Sequence, residues 1–303
     1  MNSIIDKKII RGHMGKTVIF DSKKDQKLFM KDFLSQSSIQ EKFSSWNVQG
    51  KYDTKKIIFE EILKNELVVK GIAKKEELDK YDNPLENLHK CLNDSKKTLD
   101  DTEQNQVSVN FYDISEDFKK EYIKFLKNYV ANLFLEPIYF QEVPTFRFHF
   151  PFQKGYEWED RYHTDIMLGH PPYEYNVWIP FTQVYDSNSM RITPLSDSLN
   201  FYKKCNYDFE LFAENVQYNA DWIKELKTKS SSLNMNYGDF IVFDPRCLHC
   251  TQNNRTEITR ISLDIRIITE SSLKKYSREY KTTGRKKMLF QPGHYFSEKP
   301  ISI

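Results

Sequence analysis

The residues best able to do chemistry are His163 and Asp165, with Thr164 between them, then His249 inside the apolar segment 243–250, then Arg260. Two imidazoles and one carboxylate make the facial triad that holds a non-heme Fe(II) and leaves other coordination positions open. Arg260 adds a permanently charged fork suited to a remote carboxylate. The set points to oxidation at a bound metal, with an acidic co-substrate. A His-x-Asp pair alone arises often by chance. Its conjunction with a second His on an apolar strand and an Arg followed by Ser262 makes the signal specific. The plainer role for Arg260 is an ion pair with Asp264.

Other candidates carry bland alternatives. Cys247 and Cys250 flank His249 at a zinc-ligand spacing, but Cys91 and Cys205 are isolated, so small buried hydrophobes are the expected role. Arg147, His149 and Trp178 project from the mixed faces of two strands. They are candidates for binding an anionic substrate or co-substrate, or for satisfied core positions. Tyr156, Trp158, Tyr162, Tyr173 and Tyr175 make an aromatic collar around the His-x-Asp element, suited to stacking on a sugar or to ordinary packing. His13, His89, His170 and His294 have no partner at ligand spacing and read as surface or packing residues.

Positioning these groups requires strands. Phe146, Phe148, Phe150 and Phe152 alternate with Arg147 and His149, and Val177, Ile179 and Phe181 alternate with Asn176, Trp178 and Pro180. Ile261, Leu263, Ile265 and Ile267 alternate with Arg260, Ser262, Asp264 and Arg266, and the polar set calls for a barrel interior. On a strand His163 and Asp165 leave the same face. The segment 240–243 carries the chain back toward them, and the polar turn 252–257 lets the next strand begin alongside with Arg260. Ahead of these strands, residues 25–34 and 54–67 show helical spacing, 93–106 reads as a surface loop, and Ser115 caps a helix through residue 133. The segment 196–232 reads as an insertion with a helix around 209–226 that covers the site mouth. The expected organisation is a helical part, 1–105, packed on a core of 106–303.

Composition narrows the partners. Lys and Arg number 45 against 43 Asp and Glu, and the net charge of +2 argues against a dedicated nucleic-acid or anionic-membrane surface. A small molecule is the expected partner. Ile4 and Ile5 run at once into Asp6, Lys7 and Lys8, so no signal-peptide segment is read, and a reducing cytoplasmic setting suits the four scattered cysteines.

The runs Phe146-Arg147-Phe148-His149-Phe150-Pro151, His163-Thr164-Asp165 and Glu174-Tyr175-Asn176-Val177-Trp178-Ile179-Pro180-Phe181-Thr182 resemble the Fe(II)- and 2-oxoglutarate-dependent dioxygenases. Within them the chain is similar to the phytanoyl-CoA-dioxygenase-related branch, and more narrowly to streptomycin-biosynthesis-type oxygenases of carbohydrate clusters. The resemblance covers roughly residues 140–270. It implies a mainly β double-stranded β-helix (a jelly-roll, cupin-like fold) flanked by helices. It further implies iron on His163, Asp165 and His249, and 2-oxoglutarate held by Arg260, Ser262 and Asn176, with O2 as second co-substrate. Related halogenases lack the carboxylate ligand, so Asp165 favours hydroxylation of a sugar, nucleotide-sugar or aminoglycoside-like compound. Residues 193–197, Thr-Pro-Leu-Ser-Asp, depart from the family's Pro-Gly-Ser-His-like turn. A metal-dependent isomerase or lyase and a metal-free ligand-binding barrel remain open alternatives.

Overall fold

The structure is a computed structural model and describes residues 23–35, 45–99, 104–153, 160–279 and 289–302. Helix α1 (Lys23–Ser35) precedes β1 (Asn47–Lys51), α2 (Phe59–Val69), α3 (Glu116–Phe125), β2 (Ile138–Phe140), β3 (Thr145–His149) and β4 (Tyr175–Pro180). Then come β5 (Met190–Ile192), α4 (Leu195–Lys204), α5 (Phe209–Tyr218), α6 (Ala220–Lys229) and β6 (Ser231–Ser232). The chain closes with β7 (Asp239–Phe243), β8 (His249–Thr251), β9 (Arg260–Thr269) and α7 (Glu270–Glu279).

Strand alternation sorts this sequence into layers. One antiparallel sheet runs β1-β7-β4-β9-β2, with β3 also paired to β9, and a second runs β6-β5-β8. Two such sheets facing each other, with helices outside, form the double-stranded β-helix. Ile261, Leu263, Ile265 and Ile267 of β9 join Val177 and Ile179 of β4 on the outer face, in one core with Leu63 of α2 and Phe118 of α3. Ser115 caps α3, its Oγ accepting from the Phe118 N–H at 3.1 Å, with Glu116 and Asp117 in the favourable first turn. The inner face holds a smaller core in which Trp178, Ile241 and Phe243 meet Met190 and Ile192 of the second sheet. The polar positions of β9 also lie on this inner side, by alternation.

Several elements differ from the sequence expectation. Within the stretch read as helical lies β1, an edge strand paired with β7 from Asn47↔Phe243 to Lys51↔Asp239. Its polar residues and Gly50 hide it, yet the glycine is required: a Cβ there would come within 2.5 Å of the Phe240 ring opposite. The stretch 93–106, read as a loop, contains the helical turn Asp94–Lys97, and residues 100–103 lie outside the described residues. The insertion folds as three helices rather than one. Asn219 divides the last two, because its side chain accepts from the N–H groups of Asp221 and Trp222 and so caps α6. Past α7, Phe296 and Ile301 bridge to Gln141 and Ile138 at the edge of the larger sheet. Among the described residues no helix is long and apolar enough to cross a membrane.

Candidate active site

His163 and His249 face each other as an antiparallel bridge, exchanging main-chain N–H···O bonds of 2.9 and 3.0 Å. This pairing lengthens the second sheet beyond β8. Thr164 is extended (φ −114°, ψ 154°), and a 3-10 turn then starts at Asp165, where a continuous strand was expected. One extended residue is enough to send His163 and Asp165 out of the same side. Thr164 points the other way, fully buried, with its hydroxyl 3.1 Å from the Tyr202 hydroxyl of α4. Tyr202 stacks on Phe212 of α5 with centroids 3.6 Å apart. Helices of the insertion thus pack behind the segment that carries His163 and Asp165.

His249 arrives by a crossing between the sheets. Residues 244–248 leave β7 and enter β8, and a fully buried Arg246 pins the turn, its Nε and Nη2 donating to the Asp244 carboxylate at 2.9 and 2.7 Å. Arg246 also donates to the Phe33 carbonyl of α1 at 3.3 Å, and the Leu248 N–H donates to Ser198 Oγ of α4 at 3.0 Å. The crossing that leads into His249 is therefore tied to two helices, at Arg246 and at Leu248.

One ligand atom from each of His163, Asp165 and His249 lies within 4.8 Å of the others. His163 Nδ1 is 3.1 Å from the Arg161 carbonyl and His249 Nδ1 is 3.1 Å from the Cys247 carbonyl. A neutral ring that donates from Nδ1 offers Nε2 to an ion. His249 Nε2 stands 3.8 Å from Asp165 Oδ1. Burial, then the neighbouring His249, pushes the His163 pKa down to about 3, and burial likewise lowers that of His249. Burial would raise the Asp165 pKa, but the Arg266 guanidinium and the two neighbouring imidazoles, His249 and His170, outweigh it and hold the carboxyl well below its usual range. Two neutral imidazoles and an ionised carboxylate are the protonation states that a divalent cation needs.

The inner face of the larger sheet surrounds this triad. Asn176 lies opposite Arg266, Trp178 opposite Asp264, Arg147 opposite Ser262 and His149 opposite Arg260. Arg260 does not begin a strand beside β8, as expected. The turn 252–259 returns the chain to the larger sheet, and Asn254 Nδ2 ties it down, donating to the carbonyls of His149 and Ile258 at 3.0 and 2.8 Å. Arg260 is 2% exposed. Asp264 accepts from Arg147 Nε at 3.2 Å, so it serves that residue. Burial, then the charges of Arg260 and Arg147, keeps the His149 pKa well below the ordinary imidazole value. Among the described residues, both amide atoms of Asn176 and the hydroxyl of Ser262 are buried with no hydrogen-bond partner. Such atoms are costly unless something polar reaches them. Together with the triad they fit a chelated iron and an oxygen-rich co-substrate.

The remaining candidates separate. Cys247 lies in the inner core and Cys250 in the helical one, both without a disulfide, and burial pushes the Cys250 thiol up to about 12. Tyr162 bonds to Ser230 at 2.6 Å, Tyr173 packs edge-on against Phe33, and Tyr175 packs on Phe134 at the outer face, so all three serve packing. Tyr156, Trp158 and His13 lie outside the described residues. His89 Nδ1 meets Thr259 Oγ1 at 2.9 Å. His170 is not solitary, since its Nδ1 meets the buried Glu174 carboxylate at 2.6 Å; the i,i+4 spacing was visible in the sequence. Arg266 was missed altogether. It reads as one more polar position on β9, yet its Nε and Nη2 donate to Asp165 at 2.5 and 3.2 Å.

Comparison with known proteins bears on this site. The family model described as phytanoyl-CoA dioxygenase (PhyH) matches residues 66–262. Streptomycin biosynthesis protein StrG of Streptomyces griseus is 26% identical over 163 residues, 54% of this chain. The match spans 61% of StrG's own length. Among solved structures, EctD from S. alaskensis with 2-oxoglutarate and 5-hydroxyectoine is 12% identical, with a TM-score of 0.46 over 78% of this chain and 80% of that one. The epimerase SnoN, in complex with Fe3+, alpha ketoglutarate and nogalamycin RO, is also 12% identical, with a TM-score of 0.43 over 80% and 84% of the two chains.

Proposed function

This chain belongs to the phytanoyl-CoA dioxygenase family of Fe(II)- and 2-oxoglutarate-dependent oxygenases, and from that premise we propose that it hydroxylates a small polar metabolite. The observation that carries the reading is the convergence of His163 and Asp165 from one segment and His249 from another onto one ion-sized space. Iron bound there supplies dioxygen activation coupled to decarboxylation of 2-oxoglutarate to succinate and CO2. The protein's share is placement. His163, Asp165 and His249 hold the metal. Arg260 takes the distal carboxylate of 2-oxoglutarate with Ser262 beside it, and the Asn176 amide binds the keto-acid end.

Spacing along β9 supports that division. Arg266 sits at the metal end, and Arg260 is six residues away on the same face, about 20 Å at the usual strand rise. Two long side chains and a five-carbon diacid fill such a span. His149, held neutral, and Trp178 wall the pocket, while Arg147 keeps Asp264 from opposing the co-substrate's charge. A sugar, nucleotide-sugar or aminoglycoside-like substrate agrees with the likeness to StrG and with the polar inner wall. A soluble small molecule met in the cytoplasm, rather than nucleic acid or membrane, is the partner this wall suits.

The test is succinate formation from 2-oxoglutarate in air with Fe(II), against a metabolite panel read by mass spectrometry. One panel compound gaining one oxygen, with succinate in step, is expected. His163→Ala and Asp165→Ala, the latter without added halide, should abolish both signals while the circular dichroism stays native. Full turnover in either variant removes that residue from the metal shell. A product of unchanged mass or two hydrogens lighter would replace hydroxylation with rearrangement or desaturation.

A further inference from the structure

Asp165 has two oxygens, and the structure treats them differently. Oδ2 receives the Arg266 Nε–H at 2.5 Å, while Oδ1 receives the longer Nη2 contact of 3.2 Å and faces His249 Nε2 at 3.8 Å. Arg266 itself is fixed. Its main-chain carbonyl accepts from the Gln141 N–H at 2.7 Å, its Nη1 reaches the Ile265 carbonyl at 3.4 Å, and its side chain is 14% exposed. Nearby, Glu174 is fully buried and bound to His170. We propose that Arg266 is a positioning residue for the metal centre, holding Asp165 through Oδ2 so that Oδ1 alone is presented to the ion. This rests on the assignment of His163, Asp165 and His249 as ligands.

The coordination demand explains why one oxygen matters. A chelating keto acid and a dioxygen molecule together need three positions on the iron, which leaves three for the protein. A carboxylate bound through both oxygens would take a position the reaction requires. A guanidinium is suited to prevent this, because its planar fork sets the carboxylate plane, whereas a lysine ammonium is a point charge that leaves the plane loose. The position is not legible from types alone, since Asp165 and Arg266 are 101 residues apart in the chain.

Two physical roles give opposite outcomes. If Arg266 acted only as a charge, it would repel the cation, so Arg266→Gln would tighten metal binding and Arg266→Lys would match the wild type. If it acts by geometry, both variants loosen the metal. The experiment titrates Co(II) into the full-length protein without 2-oxoglutarate, following heat and the visible d–d bands. Expected are a 10- to 100-fold loss of Co(II) affinity in both variants, the usual cost of removing an outer-shell partner, and band intensities that change as Asp165 alters its coordination. Circular dichroism checks folding, and if Arg266→Gln fails to fold, Arg266→Lys, which keeps the charge, decides. Wild-type affinity and spectrum in Arg266→Lys, or tighter binding in Arg266→Gln, overturns the proposal. His163→Ala and His249→Ala separate the two levels: undiminished Co(II) binding in both refutes the ligand assignment itself. Loss there, with Arg266 variants like the wild type, refutes only the role of Arg266.

Discussion

Replacing Arg260 by alanine tests how the co-substrate is held. Arg260 is 2% exposed on the inner face of β9, opposite His149, with the partnerless Ser262 hydroxyl two residues on. A hydrogen bond to a charged group contributes about 1.5–3 kcal/mol, and a guanidinium fork makes two that are less than additive. The loss is about 2–4 kcal/mol, on the order of 30- to 1,000-fold in the dissociation constant for 2-oxoglutarate. His149 modifies the answer. Burial first, and then the charges of Arg260 and Arg147, depress its pKa, so removing Arg260 lets the imidazole protonate more readily. At acidic pH an imidazolium then restores part of the lost positive charge. The assay is anaerobic calorimetry of 2-oxoglutarate with the Mn(II)-loaded protein at pH 8 and pH 6. The variant should bind far more weakly at pH 8 and recover part of the deficit at pH 6. Unchanged affinity at pH 8 would refute the assignment of Arg260 as the carboxylate handle, and an equal deficit at both values would refute the part given to His149.

Three further outcomes follow from packing and burial. Asp244→Ala leaves Arg246 buried without its carboxylate and should cost about 3–5 kcal/mol in urea unfolding, whereas a loss under 1 kcal/mol would deny the crossing its anchor. Gly50→Ala drives a methyl into the Phe240 ring and should destabilise by about 1–3 kcal/mol; an unchanged unfolding midpoint would mean that β1 moves aside freely. Stability of the metal-free protein should fall as pH drops below about 6.5, because the unfolded chain then binds protons that buried His149, His163 and His249 refuse. That loss is absent above pH 6.5 and accumulates downward toward about 3, where His163 itself titrates in the fold. Equal urea midpoints at pH 7.5 and pH 5 would contradict it.

Alternating residues on β3, β4 and β9 made the sheets legible, because period two is a local property of the chain. The triad was legible because its chemistry restricts residue types and His163 and Asp165 lie two apart. What was hidden depended on contacts between distant segments. Arg266 belongs to the same polar row as Arg260, Ser262 and Asp264, and only the return of β9 beneath residues 163–165 distinguishes it. The crossing at Asp244–Leu248 separates His249 from β9 onto another sheet, so a hairpin reading of 249–260 fails despite a suitable turn. β1 lacked a signal because an edge strand buries little, and Gly50 answers to Phe240 rather than to its neighbours. The last two helices of the insertion, α5 and α6, were read as one because Asn219 is a cap only when the chain bends there.

The central claim is that one iron, held by His163, Asp165 and His249, is chelated by 2-oxoglutarate. Anaerobic addition of Fe(II) and then 2-oxoglutarate reads this directly as a weak metal-to-ligand charge-transfer band in the visible. The band is expected in the wild type, absent when either component is withheld, and absent in His249→Ala. No band in the wild-type protein at saturating concentrations of both, or an undiminished band in His249→Ala, would contradict the account.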